Sequence, residues 1–220
     1  TVGTAPSVTI DAPVDGDVIN EGDPITFSAT VQDSEDQAGD ISLDWALNGS
    51  TFSSQSATSS GEATFTDSTL AYGTYNLVVT ATDTDGLNDA DQINFTVNGI
   101  PTAPVITINP NPASTSDGLS VNLDTPSVDP EGNTPTYTYA WQLGGQTQTA
   151  YTTSSLPSSA TSKGEQWTVI VTPNDGLTDG PSASASVTIE NTAPTLSGLS
   201  ITPTGTTHND DVLTCGAVVT

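Results

Sequence analysis

The chain has 220 residues, with one Lys/Arg against 26 Asp/Glu, giving a formal net charge of −25 although only 12% of residues are charged. Nearly every charge is therefore an uncompensated carboxylate, a balance that repels phosphate backbones and anionic headgroups and excludes nucleic-acid and membrane-surface partners. Hydrophobic residues make up 33%, with three Trp, five Tyr and four Phe; that is thin for one large core and fits two small sandwiches of about 100 residues each. No apolar run approaches the roughly 20 residues a bilayer crossing requires, and the opening TVGTAPSV lacks the basic and apolar regions of a secretion signal. The expectation is a chain whose signal has been removed, or an internal piece of a longer one.

Internal repeats set the organisation. Thr-Ala-Pro recurs at Thr4-Ala5-Pro6, Thr102-Ala103-Pro104 and Thr192-Ala193-Pro194, starting copies 98 and 90 residues apart, and Trp45 and Trp141 lie 96 apart. Asp85-Gly86-Leu87 returns as Asp175-Gly176-Leu177 at an offset of 90. These landmarks predict three units: a complete domain over 1–99, a second over 100–190 and the start of a third over 191–220.

Apolar residues then alternate with polar ones at period two, the signature of half-buried strands, and helix-like periodicity is absent. In chain order the first unit marks inward faces with Val8/Ile10, Ile25/Phe27/Ala29/Val31, Ile41/Leu43/Trp45/Leu47, Ala63/Phe65, Tyr75/Leu77/Val79/Ala81 and Ile93/Phe95/Val97. The second repeats the scheme with Ile106/Ile108, Leu119/Val121/Leu123, Tyr137/Tyr139/Trp141/Leu143, Trp167/Val169/Val171 and Ala183/Ala185/Val187/Ile189. The third offers Leu199/Ile201 and Val212/Thr214, two strands that cannot close a core alone. Short strands with turn signals every 8 to 12 residues predict an all-β architecture of tandem immunoglobulin-like β-sandwiches, with Trp45, Trp141 and Trp167 as core anchors.

The run Gly73-Thr74-Tyr75-Asn76-Leu77-Val78-Val79-Thr80-Ala81-Thr82-Asp83-Thr84-Asp85-Gly86 resembles the G-x-Y-x-V-x-V-x-V-x-D-x-D-G signature of polycystic-kidney-disease-type (PKD) repeats. The second unit, with Val128-Asp129-Pro130-Glu131-Gly132-Asn133 ahead of Tyr137-Thr138-Tyr139-Ala140-Trp141 and a closing Val187-Thr188-Ile189-Glu190-Asn191-Thr192-Ala193-Pro194, is similar to Ig-like repeats strung along large bacterial and archaeal surface proteins. It departs from the PKD pattern where Pro173-Asn174-Asp175-Gly176 replaces the D-x-D-G run. The resemblance spans essentially the whole chain and implies an extracellular setting: stalks, adhesins, surface layers, or spacers attached to secreted hydrolases.

Sandwich topology places the loop after the second strand beside the loop after the sixth, at the end where the preceding linker enters. This brings Asp33, Glu35, Asp36 and Asp40 near Asp83, Asp85 and Asp89 in the first unit, and Asp129 and Glu131 near Asp175 and Asp179 in the second. Crowded carboxylates raise one another's pKa unless a hard cation such as Ca²⁺ gathers their oxygens. Calcium is therefore one expectation for these loops; the other is acids solvated and spaced beyond the roughly 8 Å screening length.

Two sequons, Asn48-Gly49-Ser50 and Asn94-Phe95-Thr96, put both asparagines out of phase with the core, so each is expected to project to solvent as a glycan acceptor or as a chance match. Aligning Asp117 with Asp211 sets Cys215 opposite Val121 on a second strand, which predicts an inward thiol, either a small buried one or half of a cross-sheet disulfide to a cysteine beyond Thr220. Catalysis has little to draw on: one His (His208, in the polar turn TGTTHNDD), one Cys and one Lys (Lys163), with no phosphate-loop or zinc-type spacing. Two readings follow. One is a non-enzymatic structural segment whose partners are neighbouring repeats or identical subunits, its short proline-containing linkers VNGIPTAPV and ENTAPT too stiff to act as tethers. The other is an accessory module of a secreted hydrolase holding a carbohydrate or protein ligand, which calls for exposed aromatics that the alternation turns inward.

Overall fold

The computed structural model describes residues 3–202, 204–210 and 212–219. Its strands in the first repeat are β1 (Ser7–Ala12), β2 (Val18–Asn20), β3 (Ile25–Gln32), β4 (Ser42–Leu47), β5 (Ser50–Ser56), β6 (Glu62–Asp67), β7 (Gly73–Thr82) and β8 (Asn88–Asn98). The second repeat holds β9 (Val105–Asn109), β10 (Ala113–Ser114), β11 (Leu119–Thr125), β12 (Thr136–Leu143), β13 (Gln146–Thr147), β14 (Ser155–Leu156), β15 (Gln166–Asn174) and β16 (Ala183–Glu190); β17 (Leu196–Thr202) and β18 (Thr214–Val219) follow. Helix among the described residues is confined to two single 3-10 turns, Ala38–Asp40 and Ser158–Ala160. The chain is all-β, built of tandem immunoglobulin-like sandwiches.

Each repeat has two sheets. They run β1-β3-β6 and β2-β8-β7-β4-β5 in the first, and β9-β11-β14 and β10-β16-β15-β12-β13 in the second. The same device opens both. The first strand pairs in one sheet, then a short segment crosses over and pairs in parallel with the last strand of the other, Val18 opposite Thr96 in β2–β8 and Ala113 opposite Ile189 in β10–β16. Pro13 in the first crossing, and Pro110 and Pro112 in the second, lack the N–H a ladder needs, so the first pairing stops there and the chain is free to change sheets.

The first core forms because period-two alternation puts one face of every strand inside. In β3 the residues Ile25, Phe27, Ala29 and Val31 are all buried while Thr26 and Gln32 face water. Phe27, fully buried, has ring centroids of Phe65 at 5.0 Å, Phe52 at 5.3 Å, Phe95 at 6.0 Å and Trp45 at 6.5 Å around it. Stacked and edge-to-face pairs of this kind add about 0.5–1.5 kcal/mol each beyond area burial. In the second repeat Trp141 and Trp167 are buried with Leu119, Leu156, Val169 and Val171. Both indoles also find acceptors, Trp141 Nε1 donating to Thr153 O at 2.9 Å and Trp167 Nε1 to Glu165 Oε2 at 3.0 Å. Trp45 Nε1 is buried without an acceptor, and nothing in the structure explains it.

Strands the alternation does not announce are short or polar. β5 (STFSSQS) carries one core-facing aromatic, Phe52, and is set by its turn: Asn48 at φ 50° and Gly49 at φ 79° form a two-residue hairpin loop that pairs Leu47 with Ser50. Positive φ at both positions is the primed-turn geometry that matches strand twist, for which Asn-Gly is the favoured pair.

The residues form two compact units, one comprising the chain through Val105 with Thr125–Thr138 and Thr172–Ser182, the other comprising Ile106–Asp124, Tyr139–Val171 and the stretch from Ala183 onward. In the two-stranded sheet β17–β18, Leu196, Leu199, Ile201, Val218 and Val219 are all exposed. Cys215, across from Ile201 in that sheet, is exposed as well. The inward position expected for Cys215 rests on aligning Asp117 with Asp211 and on strands beyond Thr220; among the described residues no second sheet faces β17–β18. Asp211, on which that alignment rested, lies outside the described residues.

Truncating Phe27 to Ala removes the ring on which four aromatics converge. The expected loss is about 3–5 kcal/mol, read from urea unfolding of the intact chain; a loss under about 1 kcal/mol would show that this ring does not organise the first core.

Candidate functional site

The acids singled out in the sequence lie where the loops meet the linkers, and most of them accept hydrogen bonds from backbone N–H groups. In the first repeat Asp33 follows β3 and folds back on its own turn, its Oδ1 accepting from Glu35 N at 2.7 Å and Asp36 N at 2.8 Å. Glu35 is thereby presented to the Thr-Ala-Pro segment: its Oε2 accepts from Thr4 N at 3.0 Å and from Thr4 Oγ1 at 2.5 Å. Asp36 reaches the loop after β7, accepting from Thr84 N at 3.2 Å and from Thr84 Oγ1 at 2.9 Å. In that loop Asp83, 8% exposed, accepts from Leu87 N at 2.8 Å. Asp85 lies against the linker, where a Cβ on Gly3 would fall 2.8 Å from its Oδ2. Asp40 sits exposed in its 3-10 turn.

The second repeat rebuilds the arrangement at an offset of 96 residues, the same offset that separates the two strand tryptophans Trp45 and Trp141. Asp129, 3% exposed, accepts through Oδ1 from Glu131 N at 3.1 Å and Asn133 N at 3.0 Å. Glu131 Oε1 then accepts from the linker amide Gly99 N at 2.6 Å. Asp175 Oδ1 accepts from Leu177 N and Thr178 N, both at 2.7 Å, and its Oδ2 from Asn98 Nδ2 at 3.0 Å. Asp179 Oδ1 accepts from Asn174 Nδ2 at 2.7 Å. The linker is pressed onto these loops: a Cβ at Gly99 would lie 2.7 Å from Pro130 Cγ, and one at Gly180 would lie 2.3 Å from Pro101 O, so both positions require glycine on space alone. All these contacts fall within one compact unit.

Two acids that the loop argument did not assign to backbone act on a sheet edge. Asp89 Oδ2 accepts from Val8 N at 3.1 Å and Asp91 Oδ2 from Ile10 N at 2.8 Å, so side chains of β8 satisfy the outward N–H groups of edge strand β1. The signal available was the D-x-D spacing, which puts both carboxylates on one face of a strand at the spacing of alternate N–H groups. An edge so occupied is closed to pairing with another strand.

The electrostatic consequence is a lowered pKa wherever several N–H groups converge. Asp33 is held below the usual aspartate value by the amides of Asp36 and Glu35, and Glu35 by the Thr4 hydroxyl and then the Thr4 amide. Asp117 is lowered by the Ser114 hydroxyl and amide. For Asp175, burial pushes upward, and the donors Thr178 N, Asn98 Nδ2 and Leu177 N together outweigh it.

No three His, Cys, Asp or Glu side chains among the described residues are gathered so as to hold a metal by themselves. Both sequon asparagines are exposed, Asn48 at the hairpin tip with Oδ1 accepting from Asn76 N at 2.8 Å, and Asn94 with Oδ1 accepting from Asn76 Nδ2 at 3.2 Å. No helix is long and apolar enough to cross a membrane, among the residues described.

Residues 6–79 match the bacterial Ig domain family, Big_7. No curated protein sequence matches the chain. Among solved structures, the fibronectin(III)-like modules of Clostridium thermocellum CbhA are 20% identical with a TM-score of 0.38, covering 84% of this chain and 95% of that one. A structure from a 1.5-MDa bacterial ice-binding adhesin is 16% identical with a TM-score of 0.39, covering 90% and 70%. The Bacteroides ovatus glucan-locus protein SGBP-B, solved with a mixed-linkage heptasaccharide, is 16% identical with a TM-score of 0.33, covering 86% and 48%.

Removing the Asp129 acceptor in Asp129→Ala strands two backbone N–H groups and is expected to cost about 1–3 kcal/mol in urea unfolding, whereas exposed Asp23→Ala should stay within about 0.5 kcal/mol; equal effects would contradict the assignment. The four lowered acids have folded pKa values below their unfolded ones of 3.8 (Asp) and 4.5 (Glu). Their stabilisation is thus present above those unfolded values and lost as pH falls through the lower folded ones. The melting temperature should accordingly hold from neutral pH to about pH 5 and decline below about pH 4; a melting temperature that rises on acidification to pH 3 would contradict it.

Proposed function

We propose that this chain is a non-enzymatic structural segment of an extracellular fibre, stalk, adhesin or surface layer, made of bacterial Ig-like repeats of PKD type. The observation that carries the reading is the recurrence, at the first two of the three Thr-Ala-Pro segments, of a carboxylate bonded to backbone in or just ahead of the segment: Glu35 to Thr4 N and Glu131 to Gly99 N. A repeat that closes its own core and grips the linker ahead of it is suited to adding length to an array and carrying load along it. The Big_7 match over the first repeat supports a bacterial surface setting. High negative charge keeps such an array soluble and discourages lateral collapse.

The second reading, an accessory module that holds carbohydrate, needs an aromatic platform. Among the described residues Tyr72, 48% exposed, is the aromatic left open to solvent, while Phe27, Phe95 and the three tryptophans are buried. The structural reading is favoured on that ground.

Small-angle scattering on arrays of two, four and six repeats tests the proposal. The expected result is a maximum dimension growing by roughly 30–40 Å per repeat, together with accessibility of the segment to protease on intact cells. A particle whose dimension grows only as a compact globule, or protection from external protease, would overturn it.

A further inference from the structure

The two sheets of the first repeat end in four edge strands, and three of these are guarded against a further strand. Asp89 and Asp91 occupy the outward N–H groups of β1. β6 carries an acid at each end, Glu62 and Asp67, and β2 has only three residues, with Asp17 just before it and Glu21 just after. Short strands and edge charges are the devices by which native sheets keep a second strand away. β5, the far edge of the five-stranded sheet, has neither. Its sequence is STFSSQS, and no charged residue occurs between Asp44 and Glu62 in a chain with 26 acids.

The geometry of β5 leaves a regular stretch of backbone free. A bulge at Phe52 lies near the hairpin, where Trp45 pairs with Ser53 and Ala46 with Thr51. Beyond it the ladder runs on without a break, Leu43 with Gln55 and Ser42 with Ser56, and Ala57 N donates to Ile41 O at 3.1 Å. Hydrogen-bonded and non-bonded pairs alternate in an antiparallel ladder, so the Ala57 bond makes Gln55 and Ser53 bonded positions. It turns the N–H and C=O of Ser54 and Ser56 away from β4. Both serines are exposed, and among the described residues no strand lies beyond them. Asp44, the charged residue of β4, sits opposite Ser54, and its Oδ1 accepts from the Ser54 hydroxyl at 2.5 Å. In the second repeat the strand at this place, β13, has two residues and offers no such length.

We propose that β5 is an interaction edge at which two copies of this chain pair antiparallel, joining their five-stranded sheets into one. Centred on Gln55, residues 53–57 are their own complement. Ser54 of one copy exchanges N–H···O=C bonds with Ser56 of the other, and a two-fold axis repeats the exchange. A second copy is the occupant that the charges favour. With a formal net charge of −25 the copies repel one another wherever acids face each other, and this uncharged edge lets two backbones approach. A basic partner is drawn instead to the acid-bearing loops. The pairing goes beyond the structural role proposed above and does not depend on it, since a chain that carries no load would pair in the same way.

Sedimentation equilibrium of the 220-residue chain up to about 1 mM, at low and at high NaCl, tests it. A few hydrogen bonds over a small area predict a dimer with a dissociation constant on the order of 0.1–1 mM. It should tighten at high salt, where repulsion between the acidic copies is screened. Amide exchange at Ser54 and Ser56 should slow by about twofold or more as the dimer fills. Ser54→Pro, which removes one outward N–H, and Ser56→Asp, which adds a charge to the edge, should each weaken dimerisation about tenfold or more while leaving the circular dichroism spectrum all-β. If Ser54→Pro fails to fold, Ser56→Asp decides the matter. A chain that stays monomeric at about 1 mM in both salts would overturn the proposal. So would a dimer unchanged by Ser56→Asp, which would assign association to another surface such as the exposed apolar side chains of β17–β18.

Discussion

A chain with 26 acids and one basic residue has almost no side-chain cations to pair with, and the structure meets that constraint by turning carboxylates onto backbone N–H groups. Charge-assisted bonds of this type are shorter and stronger than neutral ones. They recur wherever regular pairing stops: Asp17 accepts from Val14 N in the crossing after β1, Asp117 from Ser114 N after β10, and Asp67 from Thr69 N after β6. Loops of a small sandwich carry most of its unpaired backbone donors, so acids that would be a liability at a surface of uniform sign become the groups that fix loop shape. The pKa directions follow from the same bonds, since donors aimed at an ionised carboxylate favour its charged form.

The cores depend on this indirectly. Phe27 and Trp45 are buried because β3 and β4 alternate, yet the two strands belong to different sheets, and the chain between them must turn within the nine residues 33–41. Asp33 makes the first part of that turn and Asp36 ties it to Thr84 on the loop after β7. Loop order and sheet packing are therefore coupled through a few carboxylates, and the same loop presents Glu35 to the linker.

Much of the fold was legible because burial on one strand face imposes a period of two that survives in a Thr/Ser-rich chain: Leu77, Val79 and Ala81 in β7 and Trp167, Val169 and Val171 in β15 are buried as their alternation demands. The two- and three-residue strands β2, β10, β13 and β14 were not, since so short a run carries no period. β5 was missed because its serines mask alternation, although Asn48-Gly49 is itself a hairpin signal that the sequon reading used otherwise. At the linker loops, the sequence located the acids but not their partners. Pairing of Glu131 with Gly99 N, or Asp89 with Val8 N, depends on backbone brought together from 32 and 81 residues away, and no local pattern encodes that. The recurring Asp-x-Glu of Asp33-Ser34-Glu35 and Asp129-Pro130-Glu131 was the available hint, an acid two residues ahead of the N–H it will accept.

The central claim is that these carboxylates are ionised hydrogen-bond acceptors and not merely solvated charges. Following side-chain carboxyl carbons by NMR across an acid titration of the labelled chain measures this directly. The account predicts that Asp33, Asp117 and Asp175 titrate below 3.8 and Glu35 below 4.5, the ordinary values for these groups. Titration of Asp33 and Glu35 at or above those values would contradict it.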